Sequence, residues 1–128
     1  MREIKFRAWD KRFKKMVYDR PVAILFLNDS DHEIMEYTGL NGKDGIEIYE
    51  GDILQIETED HKIINVVCEY GIARRVMDTG WEVDIPSFYF KRNDGLLSFP
   101  IVKNWQGKHD LEIIEVIGNI YENPELIS

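Results

Sequence analysis

The sequence predicts an all-β or β-dominated single domain, a bent sheet or small barrel with one or two short helices. Three observations point there. Apolar and polar residues alternate with a period of two in Glu3–Asp10 and in Gly80–Ile85, the spacing of a half-buried strand. Turn-forming residues then punctuate short apolar runs, most densely between Tyr37 and Leu54, where Gly39, Gly42, Gly45 and Gly51 fall within a few residues of Asn41 and Asp44. Glycine supplies the positive φ of tight turns, and Asn and Asp tolerate it. Finally, Leu111–Ile117 is rich in β-branched residues, which favour strands.

Taken in order, Ile4, Phe6 and Ala8 share one face of the first strand, with Lys5 and Arg7 on the other. Asp10–Lys14 is a polar turn, and Lys15–Asp19 returns as a second strand, giving a basic hairpin within residues 3–19. Val22–Leu27 suits a strand buried on both faces, although periodicity alone also allows a short helix. Asp29, Asp31, His32 and Glu33 suggest a metal loop, but an EF-hand counted from Asp29 would put Ile34 where glycine is needed and Leu40 where a carboxylate is needed. A solvated turn is the better reading. Glu33–Tyr37 is a strand leading into the glycine-rich stretch. In that stretch Ile46–Tyr49 alternates, and Tyr49-Glu-Gly-Asp52 turns into a strand with Leu54 and Ile56 inward and Ile53 and Gln55 on the other face.

Glu59–Lys62 closes a hairpin to Ile63–Tyr70. Gly71–Asp78 is the best candidate for a short helix or irregular excursion, and Gly80–Ile85 reads as a half-buried strand with Trp81, Val83 and Ile85 on its apolar side. Ser87–Lys91 is a further strand, returned by an Asp94-Gly95 hairpin signal through Leu96–Phe99. Lys103–Asp110 is a polar loop carrying Trp105. After Leu111–Ile117 the chain ends in a tail whose Pro124 cannot sit inside a helix.

A chain of 128 residues, 44% hydrophobic, is long enough for one packed core spanning residues 1–128. No apolar run reaches the roughly 20 residues of a membrane-spanning helix, and the N-terminus lacks a signal peptide's apolar centre. A cytoplasmic protein is expected. Cys68 is the only cysteine, so no internal disulfide forms, and its strand-like context reads as a small buried hydrophobe. The three histidines sit near polar turns, far apart in sequence. No phosphate loop, dinucleotide fingerprint or paired-cysteine motif occurs. The sequence therefore names no catalytic, cofactor-binding or metal-ligating residue, and an enzyme is the less favoured reading.

The net charge of −8 is unevenly spread. Residues 1–20 hold Arg2, Lys5, Arg7, Lys11, Arg12, Lys14, Lys15 and Arg20 against Glu3, Asp10 and Asp19, a net +5 that leaves −13 for the rest. Such an acidic total disfavours non-specific nucleic-acid binding by the whole molecule and leaves room for a local basic patch. Arg7, Trp9, Lys11, Arg12, Lys14 and Lys15 are the candidate contacts for a nucleic-acid or protein partner, because interleaved aromatic and basic residues suit stacked bases and phosphates. Gly39, Gly42, Gly45, Gly51 and Asp52 are candidate fold determinants. A many-stranded domain must also cover its edges, which makes a homo-oligomer an expectation.

Three ordered motifs, Ile4-Lys-Phe-Arg-Ala-Trp-Asp10, Tyr37-Thr-Gly-Leu40 with Ile48-Tyr-Glu-Gly-Asp-Ile53, and Val116-Ile-Gly-Asn-Ile-Tyr-Glu-Asn-Pro-Glu-Leu126, together resemble the YopX family of phage and prophage proteins. The resemblance implies a small β-rich phage gene product acting in the bacterial cytoplasm, and it brings no catalytic residue to carry over. The expected function is a non-catalytic accessory module that binds a macromolecular partner. A small hydrolase or nuclease using carboxylates and a divalent ion is the alternative, motivated by the abundance of acids.

Overall fold

In a computed structural model, residues 4–18, 31–57, 60–95, 97–98 and 114–127 are described. They form two antiparallel sheets and no long helix. The first sheet is ordered β2-β1-β3-β4, with β1 Phe6–Asp10, β2 Lys15–Tyr18, β3 His32–Asn41 and β4 Glu47–Tyr49. The second is ordered β8-β7-β6-β5-β9, with β5 Asp52–Glu57, β6 Ile63–Val76, β7 Glu82–Arg92, β8 Leu97–Ser98 and β9 Glu115–Asn119, and one of the two sheets is a half-barrel. Two 3-10 turns, Lys43–Gly45 and Pro124–Ile127, are the only helical pieces among the described residues. The all-β class stands. The strand expected at Val22–Leu27, Asp29, the loop Lys103–Asp110 and the start of the strand expected from Leu111 lie outside the described residues.

Local chemistry accounts for the hairpins. In the first, Asp10 accepts the amides of Arg12 at 2.9 Å and Phe13 at 3.2 Å, so β2 returns in register from Asp10↔Lys15 to Arg7↔Tyr18. Between β3 and β4 the register shifts, and the irregular piece holds Gly39 at φ 87°. There the Thr38 hydroxyl donates to the Ile48 carbonyl at 2.8 Å and accepts the Leu40 amide at 3.1 Å. A side chain thus supplies bonds that the disrupted ladder leaves unmade.

The core is centred on the second sheet: Leu54, Val66, Cys68 and Phe90 are buried together with Ile48 of β4 and Ile114, and Ile56, Ile64, Phe88 and Val116 pack against them. Leu54 and Ile56 point inward as expected. Ile53 is fully buried too, because β5 is an interior strand between β6 and β9 whose second face is also covered.

Three expectations are corrected here. Residues 71–78 do not form a helix: β6 runs unbroken to Val76, paired with β7 from Val66↔Arg92 to Val76↔Glu82. Continuous cross-strand pairing overrides the weak local signal of Gly71 and the apolar spacing. Residues 82–92 are likewise one strand that passes through Pro86. Proline is tolerated there because β8 pairs β7 only at Phe90 and Lys91, so Pro86 withholds no amide from β8. Lastly, the face expected to be half-buried at Trp81 and Val83 is exposed.

Candidate functional site

The residues singled out near the N-terminus divide between interior and surface. Lys11, Arg12, Lys14 and Lys15 are exposed around the β1–β2 turn, where Phe13 is also exposed, with the Arg12 guanidinium 5.6 Å and the Lys15 ammonium 5.8 Å from its ring centre. Two of these cations have acidic neighbours: Lys11 meets Glu33 at 2.9 Å and Arg12 meets Asp31 at 3.4 Å. Trp9 is half-buried and stacks on Tyr121, with centroids 5.6 Å apart and 17° between planes. Arg7, expected on the outer face, is buried.

Asp10 closes this turn. Burial pushes its carboxyl up, but the amides of Phe13 and Arg12 and the charges of His32 and Arg12 outweigh it and hold the group below its ordinary 3.8. A depressed folded value means that the carboxylate's contribution is complete above 3.8 and lost as pH falls through the lower folded value. An acid titration followed by the Arg12 and Phe13 amide shifts should therefore inflect below pH 3.8. An inflection at or above it would contradict the geometry.

Arg7 joins the two sheets. Its guanidinium meets Asp52 at 2.8 Å, with the two side chains only 4% and 3% exposed, donates to the Glu50 carbonyl at 3.2 Å, and lies 4.7 Å from the Tyr49 ring centre. Asp52 also accepts the Tyr49 amide at 2.8 Å. Burial holds the Asp52 carboxyl above its ordinary 3.8, although Arg7 and the Tyr49 amide pull it down. Beside this pair opens a cavity of about 490 Å³, lined by Tyr18, Glu47, Tyr49, Asn119 and Asn123 among others. Asn119 shapes its far wall by accepting the amides of Tyr121 at 3.0 Å and Glu122 at 2.9 Å. The three motifs noted in the sequence thus meet at one place. What they build there is a buried ion pair, in which the Arg7 Nε alone has no hydrogen-bond partner, and capped turns, which is support for the fold.

Chemistry is sparse elsewhere. Cys68 is buried, and burial, with Asp52 and Glu50 nearby, pushes its thiol far up, which makes it a poor nucleophile. Burial likewise raises the Glu50 carboxyl, against the pull of a backbone hydrogen bond at Glu36. Among the described residues no three His, Cys, Asp or Glu side chains come together as a metal site. No helix among them is long and apolar enough to cross a membrane.

The surface that sequence reasoning missed is the far half of the β6–β7 hairpin. β5 pairs with β6 only up to Ile53↔Val67, followed by one bond from the Gly51 amide to the Cys68 carbonyl at 2.8 Å. From Glu69 to Val76 the outer edge of β6 has no strand partner among the described residues, and the hairpin is a two-stranded ribbon. One side of it is closed, for Ala73 is fully buried. The other presents Tyr70, Ile72 at 68% and Val76 at 69% exposure, beside an Arg74–Asp84 pair at 3.0 Å. At its tip, where Met77 and Trp81 share a backbone bond of 2.8 Å, Met77 is exposed and Trp81 is 73% exposed. The signal for this surface was the length of the apolar alternation from Ile63 to Val76.

Comparison with known proteins agrees with this architecture. The crystal structure of protein EF1440 from Enterococcus faecalis superimposes with a TM-score of 0.61 at 23% identity, covering 100% of both chains, a likeness of fold. No curated protein matches the chain. The family model described as YopX protein matches residues 23–128, which takes in every described strand except β1 and β2, and the chain therefore belongs to the YopX family.

Proposed function

We propose that this chain is a non-catalytic accessory protein of phage origin that works in the bacterial cytoplasm as a protein-interaction module, with the β6–β7 ribbon as its contact surface. One observation carries the reading: Tyr70, Ile72, Val76, Met77 and Trp81 are all exposed on a single two-stranded ribbon. Contiguous exposed apolar groups mark contact surfaces, and a protruding Trp is a common anchor at such interfaces. A photo-cross-linking side chain at position 81, introduced into the chain in its host cell, should form protein adducts. The same group at Asp94, in the exposed turn before β8, should not. No adduct from position 81, or equal yields from both positions, would overturn the reading.

The N-terminal turn supports a second contact, with nucleic acid, because Phe13 is exposed beside Arg12 and Lys15. Changing Lys14 and Lys15 to Glu should weaken binding of a single-stranded oligonucleotide and lower the slope of its salt dependence by about one for each phosphate left without a cation. An unchanged isotherm would remove this surface from the proposal.

A further inference from the structure

The open edge of β6 begins at an acidic cavity. The Cys68 carbonyl accepts the Gly51 amide at 2.8 Å, so it faces the β5 side. Alternate residues of an antiparallel strand turn their N–H and C=O groups the same way, which leaves those of Tyr70 and Ile72 at the edge that β5 no longer covers. Such an edge is a template for an added strand. The ladder to β7 keeps one register from Val66 to Val76, so no bulge twists the edge away. Along it Tyr70, Ile72 and Val76 are exposed, while Arg74 is held by Asp84 and Glu82.

A cavity of about 350 Å³ opens just ahead of β5, lined by Glu33, Glu50, Gly51, Glu69, Tyr70 and Tyr121 among others. Its charge is one-sided, for no lysine, arginine or histidine among the described residues lines it. Glu33 is paired with Lys11. Glu50 and Glu69 take part in no ion pair among the described residues: Glu50 accepts a backbone bond from Glu36, and Glu69 accepts the Tyr89 hydroxyl at 3.1 Å. Burial raises the Glu50 carboxyl against that bond, and the charges of Glu36 and Glu69 raise it further, a condition that a cation relieves. Two carboxylates beside two tyrosine rings suit an ammonium or a guanidinium.

The geometry points to an extended segment of another protein, basic at one end and apolar along its length, as the strand that covers this edge. Its backbone pairs with Tyr70 and Ile72, its apolar side chains lie beside Ile72 and Val76, and a Lys or Arg at the end nearest Gly51 enters the cavity. A strand so placed continues the line of β5, which is why its end meets the acids. The net charge of −8 favours such an unlike partner over a second copy. The inference rests on the ribbon being the contact surface, and it adds the chemistry of what binds there.

A library of random octapeptides displayed on yeast, selected on the purified chain, should enrich a Lys or Arg followed by alternating apolar residues. A synthetic copy of the most enriched peptide should slow hydrogen exchange at the Tyr70 and Ile72 amides. The same peptide with its alternate amides N-methylated cannot pair with a strand edge and should lose binding. Glu50→Gln/Glu69→Gln should weaken the peptide about tenfold with an unchanged circular-dichroism spectrum. A peptide with Gln in place of its basic residue should bind the parent chain as weakly, a comparison that needs no variant to fold. Selection without basic enrichment overturns the inference, as does equal affinity of the basic and Gln peptides, or a stable dimer of the chain that takes up peptide only on dissociating. The outcome at position 81 is read separately. Protein adducts there without basic selection sink the basic strand and leave the interaction module standing, whereas no adduct and no selection sinks both.

Discussion

Arg7→Met should destabilise the folded chain by about 3–5 kcal/mol at neutral pH, the cost of leaving one member of a buried ion pair without its partner. Asp52→Leu should cost a similar amount, because the guanidinium cannot shed its proton and would stay buried opposite a hydrocarbon. The double variant Arg7→Met/Asp52→Leu should recover most of the loss, since an apolar pair of similar volume has no charge to desolvate. Urea denaturation of all four proteins gives the coupling directly, and additive losses would show that the pair is not the unit proposed. Acidity supplies an independent check. Burial already holds the Asp52 carboxyl above its ordinary 3.8, and without the pull of Arg7 it rises further, so the variant's native state holds a proton that the unfolded chain has released. Stability of Arg7→Met should then fall as pH rises from about 4 towards that raised value. A single variant whose stability rises over the same window would contradict this.

The parts of the fold that were legible are those decided within a few residues. The hairpin at Asp10 follows from one carboxylate reaching two amides just ahead of it, and the turn at Asp94-Gly95 from a positive φ of 88° that glycine supplies at no steric cost. The placement of Arg7 was not legible, because its partner Asp52 lies far along the chain and belongs to the other sheet. Alternation in Glu3–Asp10 assigns Arg7 to the face opposite Ala8, but it cannot say that both faces are covered. The ribbon was hidden for a different reason. Gly71 and Pro86 both read as breakers, yet they face one another's strands in a regular ladder where Ile72 pairs with Pro86 and Gly71 with Ser87. The contact surface therefore lies in the segment where the sequence signals were weakest, whereas the motifs that stood out, at Arg7, Gly51 and Asn119, converge on the support of the fold.

The glycines between Tyr37 and Leu54 separate into two physical kinds, and paired substitutions should tell them apart. Gly45 has φ 75° with open space around it, and Gly51 has φ 88° with the Met35 sulfur 3.0 Å from where a Cβ would stand. Gly39, at φ 87°, belongs with them. At these positions Ala should cost about 1–3 kcal/mol through backbone strain, and Asn at Gly45 should recover part of it because Asn tolerates the left-handed region. Gly42 differs from the sequence expectation. Its φ is −86°, which any residue adopts, and it is glycine because a Cβ would stand 2.7 Å from the Ile114 carbonyl oxygen. That oxygen also accepts the Lys43 amide at 2.7 Å, so backbone must move and a sheet-closing bond must stretch. Gly42→Ala should thus cost about 1–3 kcal/mol as overpacking, and Gly42→Asn should be no better than Ala. Gly42→Ala should also speed hydrogen exchange at the Lys43 amide. If Asn rescues position 42 as it rescues position 45, conformation and not close approach is what glycine supplies there.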